Sequence, residues 1–156
     1  MATPTSSRRV ALSALTAFPT EGMELTHLLV VADVRWSRDW YTGVLGATVF
    51  REYGGTSVVL QLLGNWLLLV TGGGPTEDKP TVTFAPPDDR DRVSTELIFR
   101  VPDCREAYGE LHDRGAEFLA EPVDNGYEVR AFFRDPDGHL FEISSIGGEG
   151  LRGGEA

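Results

Sequence analysis

Residues 132–143 have the sequence Phe-Phe-Arg-Asp-Pro-Asp-Gly-His-Leu-Phe-Glu-Ile. Two apolar stretches flank Asp-Pro-Asp-Gly, a turn sequence in which proline presets φ and glycine accepts positive φ. Working outward, the strand patterns lie at 95–101, 117–120, 127–134 and 139–145, and a helical pattern that Asp103 caps lies between the first two. The second half of the chain is therefore predicted to be a βαβββ unit.

The first half repeats this order of elements. A strand pattern at 25–32 precedes a helical pattern at 33–45, and further strand patterns follow at 49–53, 57–63 and 66–71. The pairs Thr26/Thr95, Leu28/Leu97, Gly46/Gly115 and Ala47/Ala116 are each 69 residues apart. We therefore predict an α+β fold of two tandem βαβββ modules, at about 23–72 and 93–146, joined by a Pro-, Gly- and Asp-rich linker at 73–92.

Composition excludes some classes of partner. The chain of 156 residues has 24 acidic and 14 Lys or Arg side chains, for a formal net charge of −10. Such a surface repels phosphate backbones and anionic lipid, so neither nucleic acid nor a membrane is an expected partner. The single cysteine, Cys104, cannot form an internal disulfide, which favours the cytoplasm. Residues 1–22 are predicted to be a disordered extension, and 147–156 a flexible tail.

Two motifs resemble those of the vicinal oxygen chelate superfamily, to which the glyoxalases, bleomycin-resistance proteins and dioxygenases belong. They are Val-Ala-Asp-Val-Arg-Trp-Ser-Arg-Asp-Trp-Tyr-Thr-Gly-Val-Leu-Gly at 31–46 and the stretch at 132–143. The resemblance covers about 23–146 and implies two curled mixed sheets around a small-molecule cavity, and a homodimer. It does not fix the reaction, because the superfamily includes glyoxalase I, fosfomycin-resistance transferases, extradiol dioxygenases, epimerases and metal-free bleomycin-binding proteins.

The resemblance implies that metal ligands lie on the first and last strands of each module. Glu142 occupies the position of the relatives' ligand glutamate, and Glu96 lies where relatives usually carry a histidine. Alternation along the strands groups Glu142 with Leu140, and Glu96 with Arg100, so both carboxylates are expected to face one cavity. The alternative is a buried ion pair of these glutamates with Arg100 or Arg130, which needs no metal.

The third ligand position has two candidates. The 69-residue offset aligns His27 with Glu96, which gives a set of His27, Glu96 and Glu142 that resembles the three-ligand site of fosfomycin-resistance enzymes. Counting back from Asp33 by the family's spacing instead places Thr26 in the cavity, and a shift of one residue reverses the face of a strand side chain. The sequence leaves both possibilities open, with a slight preference for His27.

Two functions follow from these residues. The first is an enzyme of the isomerase, lyase, epimerase or dioxygenase type that uses a divalent metal (Mn, Fe, Ni, Mg or Zn) to act on a substrate with vicinal oxygens, with Glu96 and Glu142 as catalytic residues. The second is a metal-free protein that binds or sequesters a small molecule, for which the uncompensated carboxylates favour a cationic guest. The apolar run at 66–70 offers no fourth ligand, which disfavours a four-ligand glyoxalase I site.

Overall fold

A computed structural model describes residues 17–147 of the chain. The first half contains β1 (Thr26–Val31), α1 (Val34–Gly43), β2 (Thr48–Tyr53), β3 (Ser57–Leu62) and β4 (Asn65–Thr71). Its four strands form a sheet in the order β1-β4-β3-β2, in which β1 and β4 are parallel and the other pairs are antiparallel. A register shift between Val49 and Arg51 bends β2 at the edge of this sheet.

The second half has the same plan. It contains β5 (Glu96–Arg100), α2 (Cys104–Asp113), β6 (Glu117–Phe118), β7 (Val123–Asp124), β8 (Glu128–Arg134) and β9 (Leu140–Ile146). Its sheet has the order β5-β9-β8-β6, and β7 pairs with β8. The predicted α+β fold of two βαβββ modules is confirmed, and neither sheet closes into a barrel. Within residues 17–147, no helix is long and apolar enough to cross a membrane.

The two modules do not have one constant offset. Asp33 and Asp103 cap the helices, which begin at Val34 and Cys104, so the offset through strand and helix is 70 residues (34 to 104). The offset falls to 69 at Gly46 and Gly115, both of which have positive φ, because one more residue separates α1 from its glycine. The matches Thr26/Thr95 and Leu28/Leu97 are therefore coincidences of composition.

One hydrophobic core joins the two halves. The ring of Phe141 stacks on Phe99 and on Phe133, with centroids 5.8 and 5.3 Å apart, on the face of the second sheet that α2 covers. Trp40 of α1 lies 6.2 Å from Phe141 and 6.3 Å from Phe133, also centroid to centroid. Because α1 contacts both sheets, its apolar face cannot be buried by the first half alone.

The Asp-Pro-Asp-Gly turn between β8 and β9 fastens the halves together by hydrogen bonds. Tyr41 donates from Oη to Asp135 Oδ2 at 2.7 Å, and Ala32 donates its N–H to Asp137 Oδ1 at 2.9 Å. His139 Nε2 lies 2.8 Å from the Val30 carbonyl oxygen. This turn is therefore the polar junction between the modules. The predicted extension at 1–22 and tail at 147–156 lie mostly outside the described residues, and the domain boundaries stay predictions.

Candidate functional site

The candidate site lies on the outer face of the second sheet, by which we mean the face opposite the helices. Strand pairing arranges its side chains in rows across β5, β9 and β8. In chain direction along β9, the rows are Glu96–Leu140–Arg134, Ile98–Glu142–Phe132 and Arg100–Ser144–Arg130, and Ile146–Glu128 follows them. Glu142 is thus central, between an aliphatic and an aromatic neighbour.

Glu142 is an acidic group in a poorly solvated place. Only 4% of the residue is exposed, although its side chain is on the outer face. Burial raises the pKa of Glu142, and the adjacent Glu96 carboxyl raises it further through a hydrogen bond and by charge repulsion. Two carboxyl groups in contact bind a shared proton or a cation more favourably than an isolated carboxylate does, since either one relieves their repulsion.

The two nearby arginines are held elsewhere. Arg100 Nη1 donates to Glu128 Oε2 at 2.9 Å and to Ser144 Oγ at 2.6 Å. Arg130 Nη1 lies 3.5 Å from Glu128 Oε1, and its guanidinium lies 5.4 Å from the centre of the Phe132 ring. Among residues 17–147, neither Glu96 nor Glu142 forms an ion pair, so the arginine pairing weighed from the sequence is absent for them.

The register of β1 settles which residue shares the outer face of the first sheet. His27 pairs with Leu67 and has the same parity as Leu29 and Val31, which are buried on the helix side. Thr26, paired with Trp66, is on the outer face and is exposed. The slight preference for His27 is therefore corrected, because the 70-residue offset aligns Thr26, and not His27, with Glu96.

The donor set is too small for a metal centre with three protein ligands. Glu96 and Glu142 correspond, by equivalent strand register, to Thr26 and Leu68 in the first module. If the outer faces of the two modules pair, within one chain or between copies, these four positions together offer a metal two carboxylates and one hydroxyl. The fourth side chain is apolar. Over the described part of the chain, no three His, Cys, Asp or Glu side chains form a group that could hold a metal ion. Zinc and non-haem iron centres have three or four protein ligands, so this set does not fit a centre of that type, whereas Mg²⁺ can bind to one or two carboxylates and water.

Sequence reasoning grouped Ser144 with Glu142 but did not assign Glu128 or Phe132 to this face. The signal for Phe132 and Glu128 was the even parity of β8, which they share with Arg130. The interaction of Arg100 with Glu128 joins residues 28 positions apart, and no sequence motif announces it.

Comparisons with known proteins agree with the architecture. The sequence model of the Glyoxalase/Bleomycin resistance protein/Dioxygenase superfamily matches residues 24–143. The chain is 30% identical over 129 residues to lactoylglutathione lyase of Escherichia coli O157:H7, an alignment that covers 78% of this chain and 91% of that protein.

Solved structures show the same fold at low identity. A glyoxalase/bleomycin resistance protein/dioxygenase from Nocardioides has a TM-score of 0.68 at 20% identity, covering 91% of this chain and 94% of that one. The fosfomycin resistance protein FosX from Listeria monocytogenes has a TM-score of 0.60 at 17% identity, covering 84% and 98%. From the family match and the paired βαβββ modules, we conclude that the chain belongs to the glyoxalase/bleomycin resistance/dioxygenase superfamily.

Proposed function

We propose that this protein binds a small organic cation on the outer face of its second sheet, without a resident metal, and that it acts by binding rather than by catalysis. The observation that carries the proposal is that Glu142, which is 4% exposed, shares one face of neighbouring strands with Glu96, and that neither forms an ion pair within residues 17–147. A positive guest would relieve the repulsion between the two carboxylates.

The surroundings suit an organic cation better than a bare ion. Ile98 and Phe132 flank Glu142 in its row, and they offer apolar and π surface to the carbon part of a guest. Arg100 and Arg130 are occupied by Glu128, so they compete little for the two carboxylates. The net charge of the chain, −10, also attracts cations.

Thermal melting with matched ligands tests the proposal. Benzylamine, which is protonated at neutral pH, is expected to raise the melting temperature, since a ligand that binds only the native state stabilises it. Benzyl alcohol, of similar shape and no charge, is expected to have no effect. The Glu142→Gln variant should lose the response to benzylamine, whereas Glu121→Gln, which changes an exposed glutamate in a turn of the second half, should keep it. Equal responses to the amine and the alcohol would contradict a cation site.

A metal-dependent enzyme is the second candidate, and its support is the 30% identity to lactoylglutathione lyase. Under this alternative, a divalent metal such as Mn, Fe, Ni, Mg or Zn would bind at Glu96 and Glu142, for a lyase, isomerase, epimerase or dioxygenase reaction on vicinal oxygens. Adding Mn²⁺, Ni²⁺ or Zn²⁺ to chelator-stripped protein distinguishes the candidates. A rise in melting temperature that the Glu142→Gln variant loses would favour the enzyme.

We also propose that the protein is a cytoplasmic homodimer. Exposed apolar side chains on the outer face of the first sheet, including Leu28, Phe50 and Tyr53, support pairing with a second copy. The one cysteine of the sequence, Cys104, is free and buried, as expected in a reducing compartment.

A further inference from the structure

A groove of about 540 Å³ adjoins the polar end of the candidate site. Its lining includes Arg100, Glu128 and Ser144 of the outer face, together with Pro102, Tyr127 and Ile146. Tyr127 and Ile146 are 79% and 65% exposed, so both side chains are accessible to a ligand in the groove. The groove therefore joins an apolar surface to the rows that carry the carboxylates.

The geometry of β9 gives the distance between the two regions. Glu142, Ser144 and Ile146 alternate on the same face, so Ser144 is the residue between the carboxylate and the groove. Two such steps span about 13 Å at a rise of about 3.3 Å per residue. Between them, Arg100 reaches from β5 to Ser144 and Glu128, so its guanidinium lies over the fully buried Ser144 and forms the surface that a guest would cross.

Building on the proposed function, we infer that the guest is an elongated amphipathic cation. Its charged nitrogen binds at Glu96 and Glu142, and its apolar body extends over the Arg100 guanidinium, which covers Ser144, to rest on Ile146 and Tyr127. The two carboxylates without an ion pair define the charged end, and the exposed apolar lining of the groove defines the other. A compact cation would satisfy the first region and leave the second empty.

Isothermal titration with phenylalkylamines of increasing length tests the inference. Phenylbutylamine is expected to bind more tightly than benzylamine, by about four-fold for each methylene that enters the groove. The Ile146→Ala and Tyr127→Ala variants should reduce this gain with chain length. Val123→Ala, which truncates an exposed apolar residue outside the groove lining, should leave it unchanged.

The Glu142→Gln variant separates the inference from the proposed function. It should weaken both amines by the same factor and keep the ratio of their affinities, because the charged and apolar ends act at different places. If the two amines bind equally to the wild-type protein, or if the gain with length survives in Ile146→Ala and Tyr127→Ala, the extended site is wrong and the cation site stands. If neither amine binds, both proposals are wrong.

Discussion

Glu142 occupies a place that ordinarily favours an apolar side chain, since it lies between Ile98 and Phe132 on a strand whose alternate residues are core. Ionising it there costs free energy, because solvent is largely excluded and Glu96 repels it. Such a group destabilises the folded state when charged. It is retained at the expense of stability, as is common for groups that bind ligands.

Glu142→Gln should therefore stabilise the protein at neutral pH. The pKa of Glu142 is raised in the folded state from its ordinary value of 4.5, so the folded state retains its proton when the unfolded state has lost it. Its contribution to stability is then full below pH 4.5 and is lost as the pH rises through the folded-state pKa. Glutamine imitates the protonated side chain.

Urea unfolding of both proteins from pH 4 upward, over the range in which they stay folded, measures this effect as a difference in unfolding free energy. The difference should be small at the acid end and should favour Glu142→Gln increasingly as the pH rises. The pKa of Asp135 is also raised, chiefly by burial, but that contribution is common to both proteins and cancels. A constant difference across pH would contradict the assignment.

At this scale the sequence was sufficient for part of the site. Alternation alone placed Glu96 and Glu142 on one face, because a period of two is fixed by the strand backbone. It could not predict that Glu128 takes both arginines. Which glutamate the arginines pair with depends on how side chains from three strands approach one another. Ion pairs with Glu96 or Glu142 were equally consistent with the alternation pattern.

Among the elements, β1 shows how a one-residue difference in alignment changes which side chain is assigned to the site. The strands and helices of both modules were predictable, because each was read from its own hydrophobic pattern and does not depend on how the two modules are aligned. The face of His27 was not, because one extra residue between α1 and Gly46 changes the apparent offset between the modules from 70 to 69 residues. The two N-cap residues, Asp33 and Asp103, are 70 residues apart, and aligning the modules on them places Thr26 opposite Glu96. Both aspartates are visible in the sequence.

The turn at 135–138 gives an element-scale prediction. Tyr41 and Asp135 are both buried, and the Tyr41 hydroxyl is the donor to Asp135 Oδ2. Tyr41→Phe keeps the ring and removes that donor, which should lower the unfolding free energy by about 1–3 kcal/mol. Tyr53→Phe, at a half-exposed ring on β2, is the matched control and should change it little. Equal losses in the two variants, measured by urea unfolding, would show that the hydrogen bond contributes nothing.

In the whole molecule the two outer faces differ in chemistry. The second sheet carries the acidic and basic groups, whereas the first presents Leu28, Trp66, Leu68 and Val70 in equivalent positions. Fold symmetry is therefore not accompanied by chemical symmetry. A ligand site that needs both charged groups and an apolar wall would be complete if the outer face of the first sheet packed against that of the second.

This asymmetry leads to a prediction for the assembly. Light scattering at micromolar concentration should give twice the chain mass of 17.1 kDa. Leu28→Lys should shift the mass toward the monomer, since an unpaired charge would be buried on the apolar face. Leu119→Lys, at an exposed site in the second half, is expected to leave the dimer intact. A mass of one chain for the wild-type protein would contradict the homodimer.

The contact of Trp40 with Phe133 and Phe141 has a consequence for synthesis on the ribosome. The nascent first module has all of its own strands once Thr71 has emerged, yet α1 still lacks the surface on which Trp40 and Tyr41 pack. That surface belongs to β8 and β9, which are translated after the first module, as is Asp135 of the junction. The first module therefore keeps an aromatic face uncovered until β8 and β9 have also left the exit tunnel.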